Sequence, residues 1–153
     1  MYYYFLPKDF EELNIKIIDI CEKIKEIGKE MGRSCQEGAE TFHDNFAHED
    51  GTRQQAMWSN KLREMIRIRN NSRIITLDKN IYRVSIGRNV RIKDLSTEEE
   101  KILKIGSYIV FTGENTISYN SPLARLLIGA KIGDLREGTL GGKSHEFEIL
   151  SIE

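Results

Sequence analysis

The sequence predicts an α+β fold: an N-terminal antiparallel α-helical coiled-coil hairpin, followed by an antiparallel sheet domain carrying one short helix. Three observations carry this. Apolar residues recur in alternating steps of four and three from Leu13 to Met31, a heptad seam that a strand cannot present. After Asn70-Asn71-Ser72 the apolar period shortens to two, in short runs rich in β-branched residues. Further on, Ser121-Pro122 and Gly129 bracket Leu123 to Ile128, the punctuation of a short helix with an N-cap, a proline in its first turn and a glycine terminator. The expected domains are residues 1–75 and 76–153.

The first helix is expected from Lys8 to Gln36, with Pro7 just before it, where a missing amide proton costs nothing. Its seam is Leu13, Ile17, Ile20, Ile24, Ile27 and Met31. Ile15 and Ile18 lie off the seam, so this end is expected to pack against something further. Beyond Met31 the seam positions are Ser34 and Gly38, and Gly28 and Gly32 each weaken the helix by about 1 kcal/mol relative to alanine. The second helix is expected from Ala47 to Arg69, with Trp58, Leu62 and Met65 or Ile66 as its seam. Folding the chain back around His43 places Trp58 against Ile27, Leu62 against Ile24, and Met65 or Ile66 against Ile20. The distal half of the second helix offers Gly51, Thr52, Gln54 and Gln55 where apolar knobs are expected. The hairpin is therefore held at its base and weakly at its tip.

That tip, Glu37 to Asp50, collects Glu37, Glu40, Asp44, Glu49 and Asp50 with His43 and His48. Strands are expected at Ile81–Ile86, Val90–Lys93, Lys101–Ile105 and Tyr108–Phe111, and the short helix follows the segment Thr116–Tyr119. After the short helix, Leu135–Leu140 and Ser144–Ile152 read as a hairpin across Gly141-Gly142.

Composition excludes several function classes. The 153 residues carry 23 basic and 24 acidic side chains, a net charge of -1, so no global attraction to nucleic acid follows. Cys21 and Cys35, on one helix, would lie roughly 21 Å apart, beyond disulfide reach, which fits a reducing compartment. The opening MYYYFLP is too short for a membrane span and is followed at once by Lys8 and Asp9. A cytoplasmic protein with no membrane partner is expected. No histidine stands near a cysteine at zinc-ligand spacing, and IGRNVRI and TLGGKSH read as turns rather than phosphate loops. Two features stay open. The tip acids suit a hard divalent cation such as Mg²⁺, or a solvated turn that collects charge because nothing there is buried. The run Arg63, Arg67, Arg69 and Arg73 suits nucleic acid or an acidic protein face, or an ordinary solvated helix.

The string ISYNSPLARLLIGAKIGD, Ile117 to Asp134, closely resembles the signature of the bacterial GreA/GreB transcript-cleavage factors. The resemblance continues through GGKSHEFEIL, Gly141 to Leu150, and reaches back to Gly87–Ile92, to Glu11-Glu12-Leu13 and to Arg53-Gln54-Gln55. It implies that the C-terminal domain is FKBP-like. It also implies docking on the rim of the RNA polymerase secondary channel through Asn120, Ser121 and Pro122, with the coiled coil entering the channel. Acids at the tip then help to position a Mg²⁺ and a water, so that the polymerase itself hydrolyses the 3′ end of a backtracked nascent RNA. On this resemblance the chain is a monomeric accessory factor rather than an enzyme, and it holds no cofactor stably beyond a Mg²⁺ shared with the polymerase. The tip residues implied are Asp44 and Glu40.

The match departs from the family pattern at one position. Where the family has an acidic pair in a D-x-x-E arrangement followed by Asn, this chain reads Thr41-Phe42-His43-Asp44-Asn45. Asp44 and Asn45 match, the first acid is replaced by Thr41, and Glu40 is adjacent. The alternative this raises is a Gre-like regulator or inhibitor that enters the channel without cleaving. A third reading, an FKBP-like folding helper, needs an aromatic-lined pocket, whereas the single tryptophan, Trp58, falls on the helical hairpin. A fourth, a coiled-coil adaptor, would homodimerise through the hairpin.

Overall fold

The computed structural model describes residues 1–37, 45–77 and 79–153. Contacts divide the chain into two units, Glu11–Asn71 and a second made of Met1–Phe10 with Ser72–Glu153. The N-terminal ten residues, expected within the helical domain, thus group with the C-terminal one.

The helical unit is formed by α1 (Pro7–Glu37) and α2 (Asn45–Asn70). Both begin and end within two residues of the expected bounds, because the heptad period is long enough to be unambiguous. Leu13, Ile17, Ile20 and Ile27 are buried on α1, as are Met65 and Ile68 on α2. Ile15 and Ile18 remain 55% and 58% exposed, so the further packing expected at that end does not occur.

Three contacts show the two helices running antiparallel: the Lys23 ammonium lies 4.2 Å over the Trp58 ring, Gly28 faces Gln55, and Gly51 faces Met31. Folding back around His43 would bring Gln55 to Met31 instead, so the real register is shifted by about one turn. The cause is visible at Gly51, where an added Cβ would sit 2.6 Å from Met31 Cγ. Glycine opens a hole that Met31 fills. A seam traced through apolar residues alone reads that hole as a gap.

The second unit contains a five-stranded sheet in the order β5-β4-β3-β7-β6, formed by β3 (Asn89–Asp94), β4 (Glu100–Gly106), β5 (Thr116–Ser118), β6 (Leu135–Leu140) and β7 (Lys143–Ile152). The sheet is mixed, not antiparallel, because β5 runs parallel to β4. The nine residues between them, expected to include a strand at Tyr108–Phe111, carry the chain back to Lys104, beside the last residues of β4, instead of turning it in a hairpin. The expected strand at Ile81–Ile86 is also absent. Val84 instead bonds singly, its amide to the Ala130 carbonyl at 2.9 Å and its carbonyl to the Gly129 amide at 2.8 Å.

Alternation puts Val90 and Ile92 of β3, Leu103 and Ile105 of β4, and Phe147, Ile149 and Ile152 of β7 into one core with Ala124, Leu127 and Ala130. Ile149 and Ile152 share a face although three residues apart, because a bulge opposite Arg91 and Ile92 absorbs one extra residue. The short helix α3 (Pro122–Leu127) lies against β6, where an added Cβ on Gly138 would stand only 3.0 Å from Leu126. Glycine there sets how closely the helix approaches the strand.

A second, two-stranded sheet was not legible in advance. β1 (Tyr3–Phe5) pairs in parallel with β2 (Ser72–Ile74), in the register Tyr3 with Ser72 and Phe5 with Ile74. Among the described residues no helix is long and apolar enough to cross a membrane.

Candidate functional site

The segment Ser118 to Pro122 joins β5 to α3, and local chemistry fixes it residue by residue. The Ser118 hydroxyl donates to the Tyr108 carbonyl at 2.8 Å and accepts from the Asn120 amide at 3.2 Å. The Tyr119 amide donates to the Gly106 carbonyl at 3.1 Å, and the Ser121 amide to the Ser118 carbonyl at 2.9 Å. Ser121 is the N-cap of α3: extended at φ -66° and ψ 152°, it accepts from the Ala124 amide at 3.3 Å. Such a cap contributes about 1 kcal/mol. Pro122 follows in the first turn, where its fixed φ suits a helix start. Ala124 and Leu127, both fully buried, anchor the helix from below.

The three residues expected to meet a partner are therefore brought together at one rim of the sheet unit. Pro122 is exposed, while Asn120 and Ser121 are half-buried. The Asn120 carboxamide oxygen accepts from the Arg125 guanidinium one turn into α3. The loop offers a proline ring, a hydroxyl and an amide–guanidinium pair. That set supports recognition; it contains no nucleophile beside a base.

Behind the loop stands a group of tyrosines that sequence reading left unassigned. Tyr3 packs on Tyr108 with ring centroids 4.4 Å apart, Tyr108 on Tyr119 at 6.2 Å, and Tyr4 on Tyr119 at 6.0 Å. The Tyr119 hydroxyl accepts from the Tyr4 amide at 3.2 Å, and the Tyr108 amide donates to the Tyr4 carbonyl at 3.0 Å. Burial pushes the Tyr119 phenol above its usual range, against the smaller opposing effect of the Tyr4 amide. It stays protonated at neutral pH. The available signal was the opening MYYYF, too aromatic for an idle terminus.

A second polar group lies at the far end of β3. His145 Nδ1 is 2.8 Å from Asp94 Oδ2, and the Ser96 amide donates to Asp94 Oδ1 at 2.8 Å. Burial raises the Asp94 pKa, but the bonds from His145 and Ser96 outweigh it and hold the carboxyl below its usual value. The histidine ring stacks on Phe147 with centroids 5.8 Å apart. This arrangement closes the turn after β3. It is not a nucleophilic triad, because Ser96 bonds to the carboxylate rather than to the imidazole.

In the sequence between α1 and α2, the expected tip residues Asp44 and Glu40, with Thr41 and His43, lie outside the described residues. The described acid Asp50 accepts from the Gln54 amide at 3.0 Å, and the Thr52 hydroxyl donates to the His48 carbonyl at 2.9 Å, both bonds within α2. Among the described residues no three His, Cys, Asp or Glu side chains gather to hold a metal. Of the arginine run, Arg63 bonds Asn60 at 3.3 Å, and Arg73, in β2, lies 4.4 Å over the Tyr2 ring.

Comparison with known proteins bears on the loop and on most of the chain. The family described as "Transcription elongation factor, GreA/GreB, C-term" matches residues 79–153, which contain the whole loop and α3. The transcription elongation factor GreA of Yersinia pestis bv. Antiqua (strain Angola) is 34% identical over 113 residues, covering 72% of this chain and 72% of its own. GreA of Thermosipho melanesiensis is 27% identical over 151 residues, covering 97% of this chain and 90% of its own. Among solved structures, GreA factor homolog 1 of Thermus thermophilus is 19% identical with a TM-score of 0.45, covering 100% of this chain and 99% of that one. With the family signature on the capped loop and a relative above 30% identity across most of the length, the chain belongs to the GreA/GreB family of transcription elongation factors.

Proposed function

We propose that this chain is an RNA polymerase accessory factor that docks at the secondary-channel rim through Asn120, Ser121 and Pro122. It rescues arrested or backtracked complexes by stimulating the polymerase's own transcript cleavage. The observation that carries this reading is the loop itself: the family signature falls on a recognition surface whose residues are each held in place, with no catalytic pair of its own. On this reading the hydrolysis is the polymerase's own, and the factor supplies position and charge to a site its partner builds. In this reading α1 and α2 form a coiled-coil probe, the sheet unit is FKBP-like, and the protein works in the cytoplasm as a monomer.

The reading assigns Asp44 and Glu40, at the tip, to a Mg²⁺ shared with the polymerase. Such an ion, when bound, activates water and neutralises phosphate charge. Stimulated cleavage should appear when the protein is added to a halted elongation complex with a backtracked transcript, and it should fall on Asp44→Asn while binding persists. Transcripts left uncleaved by the unmodified protein would replace this reading with that of a non-cleaving regulator, the outcome to which Thr41 points.

A further inference from the structure

The N-terminal strand has no place in the function proposed so far, yet it touches the candidate docking loop directly. In β1 the main chain of Tyr4 is divided from its neighbours by the geometry of a strand: Tyr3 and Phe5 face β2, as the bond from the Ile75 amide to the Phe5 carbonyl at 2.9 Å shows. The polar groups of Tyr4 face the other way. Its carbonyl takes the Tyr108 amide, and its amide gives a proton to the Tyr119 hydroxyl at 3.2 Å.

Tyr119 is the residue immediately before Asn120, and its own amide is spent on Gly106. Ser118, on its other side, is bonded to Tyr108 through its hydroxyl. One end of the loop is thus clamped by two residues, Tyr108 and Tyr119, whose common partner is Tyr4, more than a hundred positions away in the chain.

We propose that Tyr119 is a positioning residue for the Asn120-Ser121-Pro122 loop, acting through its hydrogen bond to the Tyr4 amide, so that β1 is a built-in part of the partner-binding site. This rests on the docking role proposed above. The chemistry is specific. The ring of Tyr119 is held by Tyr4 and Tyr108 on its flanks, and those contacts would survive in phenylalanine. The hydroxyl is the part that phenylalanine would lack, and it is the acceptor for the Tyr4 amide. A surface held in its bound shape before the partner arrives loses less freedom on binding, so the bond should be felt as affinity even though its hydroxyl touches no partner.

The test compares the unmodified protein with Tyr119→Phe, and with Tyr82→Phe as a control that removes a hydroxyl from an exposed ring elsewhere. Two readouts are needed: affinity for core RNA polymerase, and amide hydrogen exchange of the free protein at Asn120 and Ser121. Tyr119→Phe should bind about three- to tenfold more weakly, the range of one neutral hydrogen bond, and should exchange faster at both amides, with Tyr82→Phe unchanged in both. Unaltered affinity and exchange in Tyr119→Phe would overturn the proposal. Weaker binding with unaltered exchange would also overturn it, since the hydroxyl would then be touching the partner itself. If the unmodified protein does not bind the polymerase, the docking role fails on its own, and the exchange rates still decide whether Tyr119 holds the loop.

Discussion

The loop before α3 and the distal half of the helical unit are built by opposite means. Between Ser118 and Ser121 successive main-chain amides have a named partner, and two fully buried side chains, Ala124 and Leu127, hold the following helix down. Along α1, by contrast, a single stripe does the work: Leu13 is fully buried, Ile24 and Met31 are only half so, and the Met31 contact depends on the absence of a side chain at Gly51. A surface that must present one shape is fixed by many short-range bonds. A long rod needs only one apolar face, and it can lose packing toward its end without losing helix. Changes near the loop should therefore cost more than equivalent changes on the distal rod.

The widest gap should appear between Leu127→Ala and Met31→Ala. Leu127 is fully buried in the sheet core, so its truncation should cost about 2–5 kcal/mol. Met31 is half-buried and lies against a glycine, and its truncation should cost under about 1 kcal/mol. Urea unfolding followed by circular dichroism gives both values, and equal losses would break the comparison.

A finer contrast lies within the rod. Gly32 has nothing within 4 Å of an added Cβ, so Gly32→Ala should stabilise α1 by about 0.5–1 kcal/mol through helix propensity. Gly51→Ala should show little or none of that gain, because Met31 must move aside. Thermal melts monitored by Trp58, the single tryptophan and a reporter of the helical unit, separate the two. An equal gain at both sites would show that the Met31–Gly51 contact does not set the register.

The smallest effect concerns acid. Because the folded Asp94 carboxyl titrates below its ordinary value, its contribution to stability is complete above the unfolded carboxyl's pKa of about 3.9 and is lost as pH falls through the folded value. Urea midpoints measured from pH 5 downward should therefore fall faster for the unmodified protein than for Asp94→Asn. Parallel profiles would mean that the His145 and Ser96 bonds do not favour the charged carboxylate.

What could be read from the sequence follows the range of the forces involved. The two long helices and the capped α3 were legible because heptad spacing, Ser121, Pro122 and Gly129 act within a few residues. The strands β3, β4, β6 and β7 were legible because they alternate against one core. The strands β1 and β2 were not, since each has three residues and the whole helical unit separates them in the sequence. The parallel placement of β5 escaped for a related reason: nothing within Thr116–Ser118 tells which direction it takes beside β4. Ile81–Ile86 and Tyr108–Phe111 have the composition of strands, but their polar groups are taken by isolated partners. At the candidate site the loop residues were named from their motif, while Tyr4 and Tyr108 were not, because their role exists only once the chain has folded.

The most direct measurement of the central claim is the affinity of core RNA polymerase for the unmodified protein and for Pro122→Asn. Pro122 sits exposed in the first turn of α3 with Ser121 still able to cap, so the substitution should leave the fold intact. Docking through this loop predicts a loss of affinity of about tenfold or more. Equal affinity of the two proteins would contradict it.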